Sequence, residues 1–90
     1  MKNRAATIYY NPECPYCHHA IEFFARELPT VKLDAVALNH APGAAHDKFI
    51  KALERCGLTS MGIPLIIAGG TCFQGFDERV ATEIRDILSH

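Results

Sequence analysis

The sequence predicts a single α/β domain in which a mixed four-stranded sheet has helices on both faces. Three observations support this fold class. Two strand-like runs are each followed by a segment whose apolar residues recur at helical spacing. Gly69-Gly70 then separates two further strand-like runs, as in a two-residue hairpin, and a third helical segment follows. Crossover connections make the first strands parallel and the hairpin makes the last two antiparallel, so the predicted order is βαβαββα.

The first strand and the first helix meet at a junction marked by prolines. Residues 5–10 are rich in β-branched and aromatic side chains and end at the turn signal Asn11-Pro12, which predicts a central strand. Pro15 stands in the first turn of the helix, where proline is best tolerated, and Pro29 ends that helix. The apolar face of the helix consists of Cys17, Ala20, Ile21, Phe24 and Leu28.

The middle of the chain predicts a strand, a loop and a helix. Apolar residues between positions 31 and 38 indicate the second strand, and residues 39–43, which include a proline, indicate a loop. The second helix is expected over roughly residues 45–56, with Gly57 as its stop. Its apolar face consists of Phe49, Ile50, Leu53 and Cys56.

The last third of the chain predicts two strands and a helix. Residues 63–68 form a continuous apolar run, which is typical of a buried strand, and residues 71–74 form a short outer strand. Asp77 is a favourable N-cap for the last helix, with Glu78 in its first turn. The apolar face of this helix consists of Val80, Ala81, Ile84, Ile87 and Leu88.

Composition narrows the class of protein. The 90 residues are 49% apolar and 21% charged, which fits one globular domain over residues 1–90. Nine basic and ten acidic residues give a net charge of -1, so no basic surface is expected for nucleic acid or anionic lipid. No apolar run is long enough to cross a bilayer, and no secretory signal follows the basic residues 1–4. We therefore expect a cytoplasmic protein that binds neither nucleic acid nor membrane. We also expect the protein to be a monomer.

The C-P-Y-C motif at residues 14–17 carries the predicted chemistry. Its two thiols lie one helical turn apart at the start of a helix, where unpaired N–H groups and the helix dipole favour a thiolate. Cys14 is therefore the predicted nucleophile, and Cys17, one turn inside, is expected to be more buried and more protonated. Glu13 opposes the dipole, so we expect a moderately lowered pKa at Cys14.

Other interpretations of these cysteines compete with this one. The string C-P-Y-C-H, ending at His18, is also the attachment signature of c-type haem, with Met61 as an imaginable distal ligand. A structural zinc site needs two further ligands, and two buried structural cysteines are the simplest alternative. Cys56 is expected in the core and Cys72 on the outer face of its strand, both without a redox role, although Cys72 could be glutathionylated or form an intermolecular disulfide.

Three motifs, in this order and spacing, resemble those of the glutaredoxin family of the thioredoxin superfamily. Residues 14–17 match the dithiol active-site motif. Residues 62–64, Gly-Ile-Pro, stand where the family has Thr-Val-cis-Pro, and residues 75–77, Gly-Phe-Asp, stand where it has a Gly-Gly-x-Asp turn. The match spans essentially the whole chain. It implies the thioredoxin fold and a thiol-disulfide oxidoreductase that uses Cys14 and Cys17.

The resemblance also implies roles for the residues around the dithiol. Pro64 would be cis and pack beside Cys14, which leaves the Ile63 backbone open to pair with the peptide-like part of a bound thiol. Tyr16 would line the groove beside the disulfide. The charged end of a glutathione γ-glutamyl group would be held at the start of the last helix, by Gly75, Phe76 and Asp77.

The implied reductant is glutathione, with disulfide-bearing proteins as substrates and no bound cofactor or metal. Asn11 stands where many glutaredoxins have a Lys or Arg that contacts the glycine carboxylate of glutathione, and Gln74 and Gly62 replace a Gly and a Thr of the family. These departures make the chain look closer to small glutaredoxin-like redoxins and to redoxins that serve ribonucleotide reductase. The latter draw electrons from thioredoxin reductase, a flavoprotein. Some dithiol glutaredoxins instead carry a [2Fe-2S] cluster between two chains, which is the competing class.

Overall fold

A computed structural model of the protein describes residues 5–38 and 43–88. The elements of this part follow the predicted order, and residues 39–42 of the expected loop lie outside it. None of the helices in the described ranges is long and apolar enough to cross a membrane. The elements are β1 (Ala5–Tyr10), α1 (Pro15–Glu27), β2 (Lys32–Ala37), α2 (Ala44–Cys56), β3 (Leu65–Ala68), β4 (Thr71–Gln74) and α3 (Glu78–Leu88).

The four strands form one mixed sheet in the order β2-β1-β3-β4. β1 pairs with β2 in parallel, while β1 with β3 and β3 with β4 are antiparallel. The predictions that β1 is a central strand and β4 an outer one are therefore confirmed. Gly69 and Gly70 form the turn of the β3–β4 hairpin, both with positive φ (57° and 83°), which is the conformation that glycine adopts most readily in such turns.

The helices cover both faces of the sheet, as predicted. On one face, Ile8 of β1 packs in a buried cluster with Phe24 of α1 and Ile84 of α3. On the other face, the next residue of β1, Tyr9, packs against Phe49 of α2 with ring centroids 5.7 Å apart. Because consecutive strand residues point to opposite faces, β1 contributes to both cores.

Three element ends can be compared with the predictions, and one of them differs. β3 begins at Leu65, two residues later than predicted. The residue before it is Pro64, which has no N–H to donate to a neighbouring strand. At the start of α3, the Asp77 carboxylate oxygen Oδ1 accepts the Val80 N–H at 2.9 Å, which is the predicted N-cap interaction. Gly57 ends α2 with a left-handed backbone (φ 70°), also as predicted.

The structure corrects the expectation for Cys56 and Cys72. These residues form a disulfide, with Cα atoms 6.1 Å apart, and are 16 positions apart in sequence. Cys72 alternates with the buried Phe73 on β4, but it points to the face covered by α2 and not to an outer face as predicted. The last residue of α2 is Cys56, so the two sulfur atoms meet on that face. Both cysteines are half-buried, and Cys56 is not part of the fully buried core.

Candidate active site

The two motif cysteines lie at the first turn of α1, as predicted. Cys14 is the N-cap residue, with extended backbone angles (φ -91°, ψ 118°), and Pro15 is the first helical residue. The Cys14 carbonyl accepts the N–H groups of Cys17 at 3.1 Å and His18 at 3.2 Å. The Cys14 N–H in turn donates to the Asn11 carbonyl at 3.0 Å. The dithiol is thus built from a tight turn that runs directly into a helix.

Side chains reinforce the turn that precedes Cys14. The Asn11 Oδ1 accepts the Glu13 N–H at 2.9 Å, a local bond that is typical of turns started by Asn. The exposed His18 imidazole is hydrogen-bonded through Nε2 to the Pro12 carbonyl. The turn is therefore held both at its start and from the first turn of the helix, which restricts the position of the Cys14 sulfur.

The two thiols differ in their access to solvent. Cys17 is 0% exposed, whereas Cys14 is half-buried. Neither is part of a disulfide in this structure, so the pair is present as a dithiol. A thiol that attacks the disulfide of a large substrate must be reachable, and of the two only Cys14 meets this requirement.

The two thiols also differ in pKa, in the predicted direction. Burial raises the pKa of the Cys17 thiol to about 11, and its interaction with Cys14 adds to the rise. Partial burial acts to raise the pKa of Cys14 as well. Hydrogen bonds from the Cys17 thiol and from the N–H groups of Cys17 and Tyr16 outweigh it, so that the pKa of Cys14 is lowered. Cys14 is therefore the thiol that ionises first.

We expect the pH profile of alkylation to separate these two thiols. Iodoacetamide reacts with the thiolate, so its rate at Cys14 should reach half its maximum below pH 9.0, the ordinary pKa of the group. Cys17 should remain largely unmodified until the pH approaches about 11. Mass spectrometry measures the extent of alkylation at each site, after the protein has been digested without reductant. Cys17→Ser lacks the thiol hydrogen bond that lowers the Cys14 pKa, so its Cys14 midpoint should be higher than that of the parent. A midpoint at or above pH 9.0 in the parent would contradict the lowered pKa.

The cis proline and the turn before α3 lie at the same end of the sheet as the dithiol. The Ile63-Pro64 peptide bond is cis, as the resemblance implies, and Pro64 is buried. β1 and β3 are antiparallel with Tyr9 opposite Leu65, so the residues after β1 and those before β3 are at one end. The Pro64 carbonyl accepts the Gly75 N–H at 2.8 Å, which brings the start of the α3 turn to this end too.

A groove of about 730 Å³ runs between α1 and α3 and brings together three of the predicted residues. Tyr16, Phe76 and Asp77 line one part of it. Phe76 packs on Phe23 of α1, with ring centroids 5.4 Å apart, while the Tyr16 side chain is 62% exposed. The other five predicted residues do not line this groove, namely Cys14, Cys17, Ile63, Pro64 and Gly75.

The sequence did not single out the basic side chains of this groove, which are His19, Arg26 and Arg85. Helical spacing could have found the first two, because they follow Tyr16 by three and ten positions and so share its side of α1. Arg85 is different. Its guanidinium lies 2.9 Å from the Glu27 carboxylate and 5.6 Å from the centre of the Phe23 ring, contacts that arise only when α3 packs on α1.

The alternatives for the C-P-Y-C-H string receive limited support from the geometry. A c-type haem needs His18 as an axial ligand, and in the structure the His18 Nε2 is bonded to the Pro12 carbonyl. Within residues 5–38 and 43–88, no group of three or more His, Cys, Asp or Glu side chains could hold a metal ion.

Solved structures with the same arrangement of elements decide the fold. A glutaredoxin from Archaeoglobus fulgidus matches with a TM-score of 0.72 over 94% of this chain and 86% of its own, at 20% sequence identity. Methanoredoxin from Methanosarcina acetivorans matches with a TM-score of 0.73 over 98% of this chain and 87% of its own, at 19% identity. The protein has the thioredoxin fold.

The same thioredoxin fold is found in a more distant glutaredoxin. A buckwheat glutaredoxin, solved as a complex with glutathione, matches with a TM-score of 0.67 over 96% of this chain and 77% of its own, at 13% identity. No protein-family model and no curated protein matches the sequence. The thioredoxin fold predicted from the three motifs is therefore confirmed. One fold hosts many activities, so the function depends on the residues of the site.

Proposed function

We propose that the protein is a thiol-disulfide oxidoreductase that reduces protein or glutathione mixed disulfides with the Cys14–Cys17 dithiol. The observation that carries this proposal is the inequality of the two thiols. Cys14 is accessible and has a lowered pKa, while Cys17 is buried and has a pKa of about 11. Exchange needs an accessible thiolate and a second thiol held in reserve beside it. Two purely structural cysteines would need neither property.

The proposed reaction proceeds in two steps. The Cys14 thiolate attacks one sulfur of a substrate R–S–S–R′, forms a Cys14–S–S–R bond and releases R′S⁻, which takes a proton from water. Cys17 then gives up its proton and attacks the Cys14 sulfur, so that the Cys14–Cys17 disulfide forms and RS⁻ leaves. The substrate gains two electrons and the protein loses two.

The change of charge at Cys14 assists the second step. Burial is the main reason for the high pKa of Cys17, but the neighbouring Cys14 also contributes, through its hydrogen bond and its charge. In the mixed disulfide Cys14 carries no charge, so this contribution disappears and the Cys17 proton is lost more easily. The resolving thiol is thus easier to deprotonate once substrate is attached than in the free dithiol.

Backbone groups beside the cis proline are proposed to hold the substrate chain. Within the described residues, neither the N–H nor the carbonyl of Ile63 has a backbone partner, so both are available to an extended peptide beside Cys14. Pro64 would pack against the bound disulfide. Tyr16, which is largely exposed, would form the adjacent wall.

The turn before α3 is proposed to bind a glutathione γ-glutamyl group, through Gly75, Phe76 and Asp77. The Phe76 N–H, near the N-terminus of α3, suits a carboxylate. One oxygen of Asp77 already caps Val80, and its other oxygen would accept an ammonium group. Glutathione itself has precedent, because the buckwheat glutaredoxin was solved with it. Asn11 does not supply the cation that would pair with the glycine carboxylate.

Trapping of the intermediate tests this mechanism. Cys17→Ser should accumulate the Cys14 mixed disulfide, because the resolving thiol is absent, and the adduct should appear by mass spectrometry under non-reducing conditions. A glutathionylated peptide and insulin serve as test disulfides. The parent protein should release both thiols of the same substrate without a lasting adduct. If Cys17→Ser formed no adduct with either disulfide, the proposed function would be wrong.

The electron donor is tested separately. NADPH oxidation is coupled to the protein either through glutathione and glutathione reductase, or through thioredoxin reductase, with insulin as the substrate in both. Faster turnover through thioredoxin reductase would assign the protein to the flavoprotein-reduced redoxins, and the reverse would assign it to the glutathione-dependent group.

A coloured protein with the absorbance of an iron-sulfur cluster or a haem would favour the carrier alternative. The proposed setting is the cytoplasm, with the protein acting as a monomer. The Cys56–Cys72 disulfide is a feature more usual in oxidising compartments, so in the cytoplasm it would have to resist the glutathione pool.

A further inference from the structure

The edge strand β4 reaches the chain segment that carries the cis proline. This segment, residues 57–64, links α2 to β3 and is called the connector here. Cys72 and Gln74 are two positions apart on β4 and so point to one face of the sheet, while Phe73 between them is buried in the core of the opposite face. On this shared face, Cys72 is joined to Cys56 of α2 by a disulfide, and Gln74 is hydrogen-bonded to the connector.

The side chain of Gln74 makes three hydrogen bonds to the connector. Its Nε2 donates to the carbonyl of Ser60 at 2.8 Å and to the carbonyl of Gly62 at 3.2 Å. Its Oε1 accepts the Ser60 hydroxyl at 3.3 Å. A primary amide has two donor hydrogens and one acceptor oxygen, so the connector uses both donors and the acceptor of this side chain. The bonds end one residue before Ile63.

A disulfide and a backbone hydrogen bond, one on each side of Gln74, also restrain the connector. The disulfide of Cys72 holds Cys56, the residue immediately before the connector. The backbone N–H of Gly75 holds the carbonyl of Pro64, the last residue of the connector, at 2.8 Å. Three residues in or next to β4 therefore hold the connector at its start, in its middle and at its end.

The connector has few other restraints. It contains no helix or strand, and the Leu58 N–H bond to the Leu53 carbonyl at 2.9 Å belongs to the end of α2. The side chains of Leu58 and Ile63 pack partly against the α2-side core, while Met61 is largely exposed. The orientation of the Ile63 backbone therefore depends strongly on the contacts that β4 and Gly75 make with the connector.

We propose that Gln74 and the Cys56–Cys72 disulfide are positioning groups for the candidate site. They hold the connector so that the N–H and carbonyl of Ile63 already face a bound substrate, which lowers the ordering cost of binding. This inference rests on the proposed function. Neither group is among those that hydrogen-bond the Cys14 thiol. Their loss should therefore weaken substrate binding and leave the attack by Cys14 unchanged.

A single-turnover reaction measures these two effects apart. All variants carry Cys17→Ser, so that the reaction stops at the mixed disulfide and needs no reductant that would break Cys56–Cys72. The probe is a peptide disulfide whose leaving thiol is fluorescent. Its release, recorded over a range of probe concentrations, gives a half-saturating concentration for binding and a limiting rate for attack.

Loss of the Gln74 amide should raise the half-saturating concentration. In Gln74→Ala we expect a rise of about fivefold, the effect of losing roughly one net hydrogen bond, with the limiting rate unchanged. Gln74→Glu has the same size but no N–H donor at neutral pH, so it should show at least the same rise. Thr71→Ala is the matched control, because Thr71 is an exposed residue of the same strand with no bond to the connector in the described structure; it should behave as the parent.

Loss of the Cys56–Cys72 disulfide should weaken substrate binding as well. Cys56→Ser/Cys72→Ser should raise the half-saturating concentration, and amide hydrogen exchange at residues 58–63 should become faster than in the parent. Leu88→Ala, which removes core packing on the opposite face, controls for a general loss of stability and should leave both measurements unchanged. Equal half-saturating concentrations in the parent, Gln74→Ala and the double Ser variant would overturn this inference while the proposed function stands. A parent that captured no probe would overturn the proposed function itself.

Discussion

Replacing Cys14 by Ser is expected to abolish disulfide reduction. A Ser hydroxyl is not ionised at neutral pH and does not form the mixed disulfide, so the first step has no nucleophile. We expect the rate to fall by about a thousandfold or more, as for other covalent nucleophiles. The measurement is the reduction of insulin disulfides by the pre-reduced protein, with equal amounts of parent and variant.

The structure makes this substitution a clean test of chemistry. The Cys14 side chain forms no capping bond to the helix N-terminus, so Ser should leave α1 intact, and circular dichroism should show parent-like secondary structure. Cys17→Ser is the matched control, since it lacks the other thiol and should still react once to give an adduct. If Cys14→Ser reduced insulin at the parent's rate, the assignment of Cys14 as nucleophile would be wrong.

Removing the Cys56–Cys72 disulfide is expected to have the largest effect on stability. The bond closes a loop of 16 positions, and a loop of that length limits the unfolded chain enough to stabilise the fold by about 3 kcal/mol. Total stabilities of small domains are only about 5–15 kcal/mol. The free energy of unfolding of Cys56→Ser/Cys72→Ser should therefore be lower than that of the parent by a large fraction of the whole. Urea unfolding followed by circular dichroism measures the difference.

Reductant provides an internal control for that experiment. When Cys14 and Cys17 are replaced by Ser in both proteins, Cys56–Cys72 is the only disulfide left between cysteines of the chain. A phosphine reductant should then destabilise the protein that keeps Cys56 and Cys72 and have little effect on the one in which they are Ser. The two proteins should then unfold at similar urea concentrations. Equal unfolding midpoints without reductant would contradict a stabilising disulfide. Both cysteines are half-buried, so Ser at these positions adds no fully buried hydroxyl.

The dithiol itself was predictable because its properties are local. Cys14 and Cys17 lie three positions apart, and Pro15 and the preceding Asn11-Pro12 turn mark the start of the helix. Helix geometry alone then puts one thiol at the dipolar end and the other one turn inside. The structure agrees on the N-cap position, the burial of Cys17 and the order of the two pKa values. The capping bond from Asp77 was predictable for the same reason.

The surroundings of the dithiol were less predictable because they join distant parts of the chain. Residues 62–64 and 75–77 were found through a resemblance to glutaredoxins, since a Gly-Ile-Pro string alone does not specify a binding backbone. The role of Gln74 was missed in the sequence, where it counted only as a departure from a family glycine. Its bonds to Ser60 and Gly62 span 14 and 12 positions, and nothing in the local pattern points to them.

The sequence by itself determined the order of the elements, the two-faced sheet and the chemical difference between Cys14 and Cys17, because periodicity, turn residues and helix ends act over a few neighbouring positions. Only the tertiary structure decided the disulfide partner of Cys56, the contacts between β4 and the connector, and the groove between α1 and α3. Each of these depends on how the hairpin and the helices pack across the sheet, and that packing brings together side chains whose separation in sequence carries no signal of their contact.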